Sequence, residues 1–98
     1  MLGVASEALD AKDVVPRARE WARDVAVNAA PASVAIAKRL LWEGVTETPR
    51  ETMAKERSLL DWVGKQPDAA EGVRSFLERR PPKWKLSAST DLPQWPED

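Results

Sequence analysis

Apolar residues recur at helical intervals over most of this chain, and no segment shows a sustained two-residue alternation. The first series is Val14, Val15, Ala18, Trp21, Ala22, Val25 and Ala29. Asp10 precedes it, able to accept from the free amides of a first turn, and Asp13 is favoured by the helix dipole. Pro16 interrupts the series. It lacks an N–H and crowds the carbonyl four residues back, so it predicts a kink, or a loose first turn before a main helix of about 16–29. The stretch 28–31 (NAAP) then breaks the pattern, because the residue before a proline is pushed out of the α region. Pro31 suits the first turn of a second helix. Its stripe is Val34, Ala37, Leu40, Leu41 and Val45, with Lys38, Arg39 and Glu43 on or near the other side and Gly44 as a terminator.

Thr48-Pro49-Arg50-Glu51 is the strongest local signal. Thr48 can cap, Pro49 fits the first helical position, and Glu51 can reach back to the cap's N–H. The third helix carries Met53, Leu59, Leu60 and Val63 on one stripe, and Gly64 and Pro67 are expected to end it. Glu51–Lys55 and Asp61–Lys65 are expected supporting pairs, worth about 0.2–0.5 kcal/mol each. Asp68 is the expected cap of a fourth helix, which is to bury Val73, Phe76 and Leu77 and stop at Arg79 and Arg80, before Pro81 and Pro82. The pattern predicts an all-α chain of four helices, at about 11–29, 32–45, 49–64 and 69–80, with short links. Residues 2–9 are a short lead-in, either irregular or a strand with no evident partner. Two regions result: a helical region, 1–80, and a Pro/Trp-containing tail, 81–98, whose Pro, Ser and charge predict an extended or disordered course.

With 98 residues, the length allows one domain at most. The apolar share is 43%, but 15 residues are Ala, so the core is expected to be thin. Absence of Cys, His and Tyr removes disulfides, thiolate nucleophiles, the usual zinc sets, a His base and a Ser-His-Asp triad. No metal is expected. A net charge of −1 argues against a nucleic-acid partner. No apolar run approaches the roughly 20 residues of a membrane span, and the N-terminus has no basic n-region. Neither a membrane partner nor a signal peptide is therefore expected, and the expected location is cytoplasmic. Glu43, Glu47, Glu51 and Glu56 are the acid–base candidates, and all four read as a solvated helix face rather than as catalytic groups. Arg79, Arg80, Lys83 and Lys85 surround Trp84. They read as a helix end complementing its dipole, with phosphate binding as the sharper alternative. Trp84 and Trp95 are expected to anchor on a partner subunit. The four glycines are isolated, so no phosphate loop is built. The residues alone describe a helical interaction module.

LGVASEAL (2–9), VVPRA (14–18), PASVAIAKRLLWEG (31–44) and EGVRSFLERRPPKW (71–84) occur in an order that resembles the C-terminal third of the enoyl-CoA hydratase/isomerase (crotonase) family. The tail, with Asp91, Leu92, Pro93, Trp95 and Pro96, is similar to the longer C-termini of some members. The resemblance implies a ββα spiral followed by a helical region used in trimer assembly. It implies chemistry on acyl-CoA thioesters, part of fatty acid metabolism, with an oxyanion hole and one or two Glu in the upstream spiral. No catalytic residue is carried over, and no cofactor beyond the coenzyme A thioester as substrate. Phe76 and Arg79 match positions that approach the adenine and phosphate of coenzyme A in a neighbouring subunit, and Leu60 matches a further apolar contact. The implied protein is a C-terminal fragment (Met1 falls where a full-length member is mid-domain), inactive alone. It would serve in assembly with crotonase-like subunits, as homo-trimer or hexamer, and form part of the CoA site. The other reading is a non-enzymatic helical module docking on a crotonase-like partner. Leu40, Leu41, Leu59 and Leu60 are then expected to be only partly buried, and the lone chain to be marginally stable or self-associating.

Overall fold

The computed structural model describes residues 2–97; Met1 and Asp98, the outermost residues of the lead-in and the tail, lie outside them. Four helices follow one another: α1 (Ala11–Asn28), α2 (Pro31–Gly44), α3 (Pro49–Gly64) and α4 (Pro67–Glu78). No strand occurs among the described residues, and the lead-in is irregular.

Local chemistry explains most helix ends. Thr48 Oγ1 accepts from the Glu51 amide at 3.3 Å, and Glu51 accepts from the Thr48 amide at 2.8 Å, so the capping box is complete. Pro31, Pro49 and Pro67 each occupy the first turn of a helix, where a missing N–H costs nothing. Pro67 therefore opens α4 instead of closing α3. Gln66 is the cap position, and Asp68 lies inside the helix rather than capping it. At the other end, α4 stops at Glu78, two residues earlier than its pattern predicts. Arg79 turns left-handed (φ 53, ψ 46), and the Arg80 amide donates to the Ser75 carbonyl at 3.1 Å.

α1 departs from its expected form. It runs unbroken through Pro16, which deprives only the Lys12 carbonyl of its helical donor. The Asp10 side chain makes no cap bond; its carbonyl accepts from the Asp13 amide at 2.9 Å instead. Glu7 of the lead-in pairs with Arg17 at 2.9 Å. No residue of α1 is buried, although its stripe has the right spacing, because no other helix makes more than a weak contact with it.

α2 packs on α3, and α3 on α4. Ala32, Ile36 and Leu59 are the buried apolar residues, Leu59 at 2% exposure. Leu40 is half-buried, while Leu41 and Leu60 are exposed. The radius of gyration is 16.2 Å, against about 13 Å for a compact chain of 100 residues. α4 reverses its expected orientation. Val73, Phe76 and Leu77 face solvent, Phe76 at 82% exposure, and the buried residues are Asp68, Glu71 and Ser75.

The reason is the tail. It forms no helix or strand, but it is not loose: it folds back as a strap over the polar face of α4. Amides of Lys85 and Leu86 donate to the two carboxylate oxygens of Asp68, at 2.7 and 3.1 Å. The Lys83 amide donates to Glu71 at 2.7 Å. Leu86 reaches a small cavity of about 50 Å³ shared with Ala32, Trp62 and Ala69. Trp84 lies against Gly72, where an added methyl would meet its ring at 3.6 Å, and its Nε1–H donates to the Val27 carbonyl of α1 at 3.1 Å. Trp95 reaches α2 and donates to Glu43 at 2.8 Å. Both tail tryptophans thus anchor on the chain's own helices. The expectation of a partner-subunit anchor held only for a tail that does not fold back, and amides bonded to Asp68 and Glu71 hold this tail folded.

Candidate functional site

The C-terminal end of α4 holds two of the three candidate binding residues. Phe76 and Arg79 are three residues apart, about one helical turn. The Phe76 ring is open to solvent, and so is Arg79. Leu60 is elsewhere. It is exposed on α3, lining a groove of about 170 Å³ with Ile36, Leu40, Leu59 and Val63.

Arg79 occupies backbone geometry that glycine fills without strain and that costs other residues about 1–2 kcal/mol. An arginine there is a local cost that brings a guanidinium to the end of the helix. Its neighbour Arg80 is committed elsewhere. The two terminal nitrogens of Arg80 grip the Glu71 carboxylate at 2.7 and 2.9 Å, and its Nε meets Glu78. These bonds from Arg80, followed by the Lys83 amide, outweigh burial and hold the Glu71 carboxyl down at about 2. Arg80 is in turn pushed above its ordinary value by Glu71 and Glu78. The basic cluster read along the sequence is therefore divided: Arg80 locks the strap, while Arg79, Lys83 and Lys85 present charge to solvent.

A second polar centre lies between α2 and α3. Lys55, 7% exposed, pairs with Glu47 and lies 3.5 Å from Glu43. Thr52 Oγ1 donates to Glu47 at 3.3 Å. Glu51, the predicted partner of Lys55, also closes its own cap: the Thr48 backbone and hydroxyl lower its pKa, and the nearby charge of Lys55 adds to this. Burial pushes Glu43 up, but hydrogen bonds from Trp95 and Arg39 and the charge of Lys55 outweigh it, leaving its pKa below the ordinary value. Glu43 and Glu47 are thus half-buried ion-pair partners, not a solvated face. The spacing carried a signal: Lys55 precedes Leu59 by four residues and so shares its inward stripe. Asp68, Glu71 and Ser75 show the same register on α4. Among the described residues, no group of three or more acidic, His or Cys side chains could hold a metal, and no helix is long and apolar enough to cross a membrane.

The surface thus presents outward apolar stripes and an aromatic–guanidinium pair at one helix end. Residues 1–87 match the model of the enoyl-CoA hydratase/isomerase family, and the chain belongs to that family. Two enoyl-CoA hydratases of Alternaria alternata, ACTT3 and AFT3-1, are each 36% identical over 84 residues, 85% of this chain. A third, AKT3-2, is 32% identical over the same length. The chain spans 28% of the length of each. A crystal structure of a "probable enoyl-CoA hydratase/isomerase" from Mycobacterium abscessus superposes with a TM-score of 0.78 at 39% identity, covering 85% of this chain and 33% of that one.

Proposed function

We propose that this chain is the C-terminal helical region of a crotonase-type domain acting on acyl-CoA thioesters, serving in subunit assembly and supplying one side of the coenzyme A site. The observation that carries this reading is the left-handed, exposed Arg79 one turn beyond the exposed Phe76. The ring offers a stacking surface to adenine, and the guanidinium offers a fork for phosphate. The outward stripes of α2, α3 and α4 support an assembly role, since contiguous exposed apolar surface marks interaction sites. Glu51 closes a cap, Asp68 and Glu71 anchor the strap, and Glu43 and Glu47 pair with Lys55; the acid and base of the reaction are assigned outside these residues.

In this reading Phe76 and Arg79 contribute affinity and not rate, because neither can position a thioester. Purified as 98 residues, the chain is expected to leave crotonyl-CoA unhydrated and to bind coenzyme A weakly. Hydration above background would overturn the reading. In an assembly with crotonase-like subunits, Arg79→Ala is expected to raise KM for acyl-CoA roughly 10- to 150-fold if the phosphate bond is desolvated, with kcat nearly unchanged. An equal fall in kcat and kcat/KM would remove the binding role. Stable docking of the chain on complete crotonase-like subunits, with no effect of Arg79→Ala on KM, would favour a non-enzymatic docking module.

A further inference from the structure

The strap is held at two places by unequal means. Its near half, Arg80 to Leu86, is fixed by three backbone amides on Asp68 and Glu71 and by the Arg80 fork. Asp68 and Glu71 are both buried. Its far half, Leu92 to Glu97, makes its polar contact with α2 through Trp95. The Trp95 indole N–H donates to Glu43, and the Arg39 guanidinium lies 4.1 Å from the ring centroid. Arg39 and Glu43 keep 54% and 30% of their side-chain surface in solvent. Between the halves is a self-contained turn. The Asp91 and Thr90 amides donate to the Ser87 carbonyl, and Asp91 accepts from the Ser87 amide at 2.7 Å. These bonds close the turn on itself, so it hinges without help from the helices.

We infer that Trp95 is a releasable latch: residues 92–97 detach from α2 as a unit about the Ser87–Asp91 turn, while residues 80–86 stay locked on α4. The physical basis is the difference in the two attachments. Three amide–carboxylate bonds onto buried carboxylates, joined by the Arg80 fork, open only with the fold around them, whereas one hydrogen bond and one cation–π contact, the latter to a half-exposed Arg39, open locally. Opening removes the indole donor from Glu43 and the ring from Arg39. The latch therefore governs whether the Arg39–Glu43 end of the α2–α3 ion-pair network is covered or open to water. The inference does not depend on the coenzyme A reading.

Hydrogen exchange followed by NMR on the full chain tests it. Protection factors of the Lys83, Lys85 and Leu86 amides are expected to exceed that of the Trp95 indole N–H by at least about 100-fold. Raising the salt to 1 M should lower indole protection further, because the Debye length falls to about 3 Å. Trp95→Ala should leave the three amides within about twofold of their protection in the parent chain. Trp95→Phe, which keeps the ring but not the donor, should retain part of the order of residues 92–97. Indole and amide protection moving together in the parent chain would overturn the latch, as would loss of the three amide protections in Trp95→Ala.

Discussion

α3 and α4 are neighbours of similar amphipathic pattern, yet α3 buries an apolar residue beside a charged one and α4 buries only polar ones. α3 turns Leu59 into the groove lined by Ile36 and Leu40, and the apolar residue is the better hidden. α4 turns Asp68, Glu71 and Ser75 inward and leaves Val73, Phe76 and Leu77 in solvent. Burial on α3 is non-directional and tolerates small shifts. Burial on α4 is directional, because each strap amide needs one carboxylate oxygen in place. The contrast assigns different tasks. α3 holds the helical unit together, and α4 fixes the course of the tail while its apolar face stays free for another surface.

The largest effect expected from this contrast is on α3. Leu59→Ala should cost about 2–5 kcal/mol in urea denaturation, since it empties a buried site. Leu77→Ser on α4, equally apolar in sequence, should stay within about 0.5 kcal/mol. Equal losses would erase the distinction between the helices. Next comes the strap. Asp68→Ala strips the acceptors from two part-buried amides and should cost about 1–3 kcal/mol, together with the ordered signals of Lys85 and Leu86.

Acid should weaken the strap on α4. Glu71 titrates near 2 in the folded chain against an ordinary 4.5, so its contribution is complete above 4.5 and is lost as pH falls toward about 2. Glu71→Gln should flatten that part of the stability profile, and a profile unchanged by the substitution would contradict the Arg80–Glu71 lock. The smallest effect belongs to the α3 cap. Thr48→Ala should cost about 1 kcal/mol, seen as a lower denaturation midpoint with the strap signals intact.

These differences track what a local reading can reach. Helix number and class were legible because period, proline placement and capping act within one turn. The Thr48–Glu51 box and the Asp61–Lys65 pair stand as their spacing predicts. The end of α4 was legible to within two residues, and Arg79's left-handed turn was not, because no glycine marks it. Phe76 and Arg79 could be placed near one helix end by spacing alone, whereas Leu60 could not be placed relative to them without the packing of α3.

Sequence alone determined where helices start to within two residues, since a cap, a proline and a helical period are interactions between residues at most four apart. Only the tertiary structure decided which face of each helix is covered. Trp84 meets Val27 across 57 residues and Trp95 meets Glu43 across 52. Lys55 turns inward and pairs with Glu47, eight residues away, which its spacing from Glu51 did not show. An amphipathic stripe states that a face can be buried, but burial needs a second surface to arrive. On α4 the surface that arrived was a strap of backbone amides, and amides select carboxylates over phenylalanine.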